Sequence, residues 1–501
     1  MIAALLTLVS LSALAVPAAR AQSLEIPEEL PRSTEDAEGE REPIWKLGLT
    51  PAPERQPPPI SPPEAPTLPE PEVHVLSGGG IVHIIERPEI PLVRIEVSVT
   101  WAGQDAHRRR RSAASLAGDL LGDATKTLDA ERLASASERL GAELDVGITR
   151  TRLWADVEVP KGSEAEAIAL LADAVRAPAV DRGEAKRAAA RWADWRRDLW
   201  LDLRRTHTRA ENHAWFPEGH PARHQALEKD LRRLRARHVR RVHRKVTRKG
   251  QLFIAVAGAA DADIVPALEA AFGDMRGDNL HIASPAPATA GGVWLVARSG
   301  FDVAAITLLA PGPAWGDADL AAAQVLMGIF AGDFTSRVEA DLRETRGLTY
   351  GVDGAVQVWK NSGRLRVSLE VEEGRAVEAL EALREHARVL AADGVTEDEV
   401  RRAQRTLTLE AGRALETNAR MAAMAGELWM RDADFADAAA RLSAVQAVTA
   451  GDVSAAAARW FEEESLIWIV TGSRAALEQS MMDAELRPDT VINARSLSES
   501  R

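Results

Sequence analysis

Val93-Arg94-Ile95-Glu96-Val97-Ser98-Val99 alternates apolar and polar side chains over seven residues, the period of a strand with one face on a core and the other wet. Upstream, Gly78-Gly79-Gly80 before the apolar run at residues 81–85 predicts a turn leading into a strand. Leu252-Phe253-Ile254-Ala255-Val256, closed by Gly258, reads as a buried strand, and long Ala/Leu/Arg-rich helical stretches lie between. Antiparallel-type strands interspersed with helices predict an α+β fold with mixed, largely antiparallel sheets flanked by helices.

The pattern occurs twice. An offset of 214 residues lays LFIAVAG at 252–258 on LIWIVTG at 466–472, and places Leu231, Leu234 and Val239 on Val445, Val448 and Val453. An offset of 212 lays Leu153, Val157, Val159 and Gly162 on Leu365, Leu369, Val371 and Gly374. Two stretches agreeing at nearly one offset predict two homologous lobes, 73–280 and 293–478. The Pro/Ala/Gly-rich segment 281–292 should join them into a clamshell around a cleft.

Both ends differ from the lobes. Residues 1–16 are almost wholly apolar, and Ala19-Arg20-Ala21 has the small-x-small form of a cleavage site, so 1–21 reads as a signal peptide and the protein as periplasmic or secreted. An uncleaved anchor is the alternative; no cysteine follows to carry a lipid. Residues 22–72 form a Pro-rich, Glu-rich linker that should stay extended and disordered, because it has little apolar surface to offset its ordering entropy. The polar segment 479–501 is left as a tail.

Composition narrows the chemistry. With no cysteine among 501 residues, disulfides, thiolate metal sites and cysteine nucleophiles are excluded. A net charge of −13 disfavours nucleic-acid binding through bulk charge, although residues 181–250 hold 21 Lys/Arg against 9 Asp/Glu. Leu231, Leu234, Val239, Val242 and Val246 give that basic stretch a buried side. Its arginines are then a solvated face, or a surface for the acidic linker, an acidic partner or a polyanion. No P-loop, G-x-S-x-G elbow or dinucleotide fingerprint is present.

From about 73 to 472 the chain resembles the pitrilysin/insulinase-type metallopeptidases, or inverzincins, which include the mitochondrial processing peptidases. The likeness rests on Trp101-Ala102-Gly103, Ala124-Thr125-Lys126-Thr127, Leu140-Gly141-Ala142-Glu143-Leu144 and Gly219-His220-Pro221. In active members a helix carries H-x-x-E-H, two zinc-binding histidines with a glutamate that polarises water. The matching positions here are Ser115, Gly118 and Asp119. A hydroxyl, a hydrogen and one carboxylate do not make a zinc site. The third ligand, a Glu about 75 residues on, is also missing: 191–199 reads RWADWRRDL. Trp192, Trp195 and Trp200 there should share a space-filling face. The pairs His220/His224 and His238/His243 lack acidic partners, so no metal is expected in this chain.

The second lobe keeps something else. Asp341-Leu342-Arg343-Glu344-Thr345-Arg346-Gly347-Leu348-Thr349-Tyr350-Gly351 resembles the family's arginine/tyrosine segment, with the pair at Arg343 and Tyr350. The spacing predicts a helix over 336–346, a left-handed cap at Gly347 and a strand from Leu348. The resemblance implies that the arginine holds a substrate carbonyl and the tyrosine donates to the oxyanion. A chain with this pair and no zinc ligands is expected to be the non-catalytic subunit of a hetero-oligomer, positioning peptide for a zinc-bearing relative. The rival expectation is an inert structural or chaperone-like subunit, and a second is a polyanion binder.

Overall fold

The computed structural model describes residues 63–499 apart from 102–107, 150, 199–200, 219, 224–225 and 278–290. The signal-peptide reading, most of the linker, Trp200 and His224 therefore lie outside the described residues.

Two six-stranded mixed sheets carry the fold. The first contains β1 (Glu72–Val75), β2 (Ile81–Glu86), β3 (Leu92–Thr100), β4 (Asp145–Ile148), β5 (Arg152–Pro160) and β6 (Leu252–Gly258). The second contains β7 (Gly292–Ala297), β8 (Val303–Gly312), β9 (Thr349–Val358), β10 (Gly363–Glu372), β11 (Ile467–Gly472) and β12 (Thr490–Asn493). Their orders, β1-β2-β6-β3-β5-β4 and β12-β7-β11-β8-β10-β9, superpose position by position, which makes the predicted α+β fold with two lobes the observed one. β6 and β11, the strands matched at offset 214, are central in both and buried at every residue.

The outermost positions break the repeat. β1 enters from the linker side and runs antiparallel to β2, whereas β12 comes from the chain's end and runs parallel to β7. The second sheet thus takes a strand from beyond 478, inside the segment left as a polar tail. Thr490–Asn493 has only two apolar residues, too short an alternation to stand out as a strand.

Each sheet packs one face on helices of its own lobe, forming the two main cores. The other face is covered by a helix of the opposite lobe. The Asn418–Trp429 helix lies on β6 and β3, and the Leu203–Trp215 helix lies on β11 and β8. This corrects the reading of β3 as half wet. Its polar residues Glu96 and Ser98 are buried beneath the 418–429 helix, where Arg152 donates to both, at 2.6 and 3.1 Å.

Candidate functional site

The helix Arg108–Gly118 brings Ser115 and Gly118 to its last turn, with Asp119 just beyond. Asp119 accepts a hydrogen bond from Trp192 Nε1 at 2.5 Å, and burial pushes its carboxyl upward against that bond and Arg191. On the facing helix, Arg182–Asp198, Asp194 is taken by Arg197 and Arg232, and Glu184 by Arg187 and Arg191. One carboxylate committed to an indole and others neutralised by arginines do not fit a divalent metal. Among the described residues no group of three His, Asp or Glu converges on a point.

The tryptophan stripe divides. Trp192 is half-buried against the first core, while Trp195 meets it edge-on at 5.0 Å, lies under Arg205 and is 40% exposed. The described histidines of the two predicted pairs serve local structure. His220 stacks on Phe216 and accepts from Ala222 N, His238 accepts from Arg235 N, and His243 Nε2 donates to Val175 O.

In the second lobe the predicted helix–cap–strand sequence is present with one added feature. A short α-turn at Arg337–Glu339 widens into a π-helical turn at Ala340–Thr345. Gly347 has φ +59°, the left-handed conformation expected of the cap. Gly347 N donates to Arg343 O and Leu348 N to Leu342 O, closing the turn as β9 begins. Single π turns of this kind recur at functional sites.

The buried Glu339 organises the segment. Its Oε1 accepts from Arg343 at 2.9 Å and its Oε2 accepts from Val352 N in β9 at 2.6 Å. One carboxylate therefore ties the Arg343 guanidinium to the strand that carries Tyr350. Arg343 also lies over the exposed Phe334 ring, 4.9 Å from its centre. The β9–β10 ladder slips between Leu369 and Val371, so Tyr350 and Gly351 both stand opposite Glu370. A bulge of this kind re-aims the side chain it carries. Tyr350 is 99% exposed, on the outermost strand of its sheet. Gly354, further along β9, permits a close approach: a Cβ there would lie 2.4 Å from Ala331 O.

Glu339 was not singled out by sequence reasoning; its spacing of four from Arg343 on a helix was the available signal. The second missed group lies under the 203–215 helix. His207 is bonded at 2.7 Å to both Thr471 and Thr307, and Glu211 holds Arg366 through two bonds of 2.9 Å. Burial takes the His207 imidazole down to about 4. Burial also works to raise the Glu211 carboxyl, yet Arg366 overcomes it and brings it to about 2. Both side chains are fully enclosed and join the two lobes.

A family model described as the peptidase M16 inactive domain matches residues 233–407. An uncharacterized zinc protease of Mycobacterium leprae is 36% identical over 86 residues, a match spanning 17% of this chain and 19% of that protein. Among solved structures, a peptidase M16 inactive domain from Pseudomonas fluorescens aligns over 81% of this chain and 98% of its own, with TM-score 0.73 at 18% identity. A protease from Helicobacter pylori covers the same share of this chain and 100% of its own, with TM-score 0.70 at 13% identity. These likenesses at low identity concern the fold.

Proposed function

We propose that the chain, whose residues 233–407 match the peptidase M16 inactive domain and whose fold resembles such a domain, is a non-catalytic member of that family that holds peptide for a zinc-bearing relative and does not cut alone. The observation that carries this reading is the position of Tyr350. The chain's single tyrosine contributes nothing to a core; it stands in solvent on a bulged edge strand that a buried carboxylate ties to Arg343. Residues bound for packing do not lie 99% exposed.

In this reading the unpaired edge of β9 receives an extended peptide, Arg343 holds one of its carbonyls and the Tyr350 hydroxyl donates to the oxygen that gains charge. The partner supplies zinc and the water-polarising glutamate in a hetero-oligomer located in the periplasm or outside the cell. No described helix is long and apolar enough to cross a membrane.

Titration of an unstructured peptide into the purified chain tests the binding half. Saturable binding that weakens about tenfold or more in Arg343→Ala is expected, in line with loss of a charged hydrogen bond. Equal binding by that variant, or stoichiometric zinc in the purified chain, overturns the proposal.

A further inference from the structure

Tyr350 is aimed by a bulge on an outermost strand, which has a neighbour on one side only. Such a bulge regularises when the strand moves one residue along its partner, and that slip turns the side chain over to the other face. Here it would also break the bond from Val352 N to Glu339, which ties Arg343 to β9. The spacing of Arg343 and Tyr350 is therefore a property of the bulge, and whatever holds the bulge sets the site.

On one side the hold is Thr349, whose side chain is buried. Its hydroxyl hydrogen is shared between Glu370 O at 2.8 Å and Gly351 O at 3.0 Å, while its oxygen accepts from Gly351 N at 3.3 Å. One hydroxyl thus closes a ring over Tyr350 and fixes it to Glu370, the residue of β10 that stands opposite. Gly351 fits beneath: a Cβ there would lie 3.9 Å from Glu339 Oε1, so the turn rests on the carboxylate that holds Arg343. Threonine is ordinary in a strand, and this use of it shows only in the fold.

On the other side the hold is Asp353. Its Oδ2 accepts from Arg366 Nη1 at 2.8 Å, while Nε and Nη2 of the same guanidinium go to the two oxygens of Glu211. Glu211 belongs to the Leu203–Trp215 helix of the first lobe. The same helix reaches the residue opposite the bulge, where Arg204 donates to Glu370 Oε1 at 3.1 Å. The opposite lobe is thereby joined to the ladder at the bulge itself and again at Asp353. Arg366 is the stronger of the two links, because it is largely enclosed and bidentate, whereas Arg204 is exposed.

We infer that Thr349 and Asp353 are positioning residues of the peptide site: they hold the Tyr350 bulge from its two sides, and Asp353 does so by tying it through Arg366 to Glu211 of the first lobe. The inference rests on the peptide-holding reading and adds to it that contact between the lobes completes the site.

The single tyrosine makes the test direct, because labelling the full chain with nitrogen-15 tyrosine gives one amide resonance, that of residue 350. Thr349→Val removes the hydroxyl and keeps the branched shape; Asp353→Ala removes the tie and leaves the Glu211–Arg366 pair in place. In each variant the resonance should move toward its position in the urea-unfolded chain, and affinity for the unstructured peptide should fall about fivefold. Thr349→Ser restores the donor and should return both readings to those of the parent. An unmoved resonance in both variants, no rescue by serine, or full peptide affinity in both while Arg343→Ala binds weakly overturns the positioning role and leaves the peptide site standing. A moved resonance with full affinity in all three variants, Arg343→Ala included, overturns the peptide reading and this inference with it.

Discussion

Two helices at equivalent places in the duplicated chain cover the sheets of opposite lobes, yet contribute different side chains to the contact. At the offset of 214, His207 and Glu211 correspond to Met421 and Ala425. The 418–429 helix presents Met421, Met424, Ala425 and Leu428 to Ile85, Phe253 and Ala257, an apolar contact beside the Glu96–Arg152 pair of the sheet below. The 203–215 helix presents His207 and Glu211 to Thr307, Thr471 and Arg366, a buried hydrogen-bonded network beside a smaller apolar patch. The difference teaches how a repeated architecture is joined: beneath the 418–429 helix the Glu96–Arg152 pair stays within its own sheet, whereas the 203–215 helix supplies the carboxylate that pairs with Arg366 across the lobes and favours a single register.

Breaking the polar seam should have the largest effect. Glu211→Ala leaves Arg366 buried without its bidentate partner, for a loss of about 3 to 5 kcal/mol in chemical denaturation. Replacing the group together, His207→Met with Glu211→Ala and Arg366→Leu, makes it resemble the apolar seam and should cost much less than Glu211→Ala alone. A larger cost for the triple variant contradicts the comparison.

The pH dependence sharpens it. His207 titrates near 4 in the folded chain against about 6.5 unfolded, because burial disfavours its charged form. The unfolded chain therefore binds the proton first as pH falls. Stability is full above pH 6.5 and declines to about pH 4, by about 3 kcal/mol in total from this group. His207→Gln should remove that part of the slope, while any decline below pH 4.5 from Glu211 remains. An unchanged profile between pH 4 and 6.5 counts against the assignment.

On the apolar seam, Met421→Ala should cost roughly 2 to 3 kcal/mol with no pH dependence of its own. Tyr350→Phe should leave unfolding within about 0.5 kcal/mol of the parent, since its side chain touches almost nothing.

Much of this was legible in the sequence. The matched strands 252–258 and 466–472 revealed the duplication because central strands are uniformly apolar and end at glycine. Ser115, Gly118 and Asp119 read as poor metal ligands from residue type alone. Gly347 marked the cap because few other residues adopt its φ. The crossing of helices between lobes was hidden, since amphipathicity shows that a face is buried and not beneath which sheet. For the same reason the polar side of β3 read as wet. The bulge at Tyr350 was hidden too: it arises from the slip between β9 and β10, and no local pattern encodes it.

Peptide turnover by the chain reassembled with a relative bearing H-x-x-E-H, compared between Tyr350 and Tyr350→Phe at equal complex concentration, tests the central claim most directly. If Tyr350 is the oxyanion donor proposed above, its loss should lower turnover by about 10 to 1000-fold without dissociating the complex. Undiminished turnover by the phenylalanine variant contradicts the account.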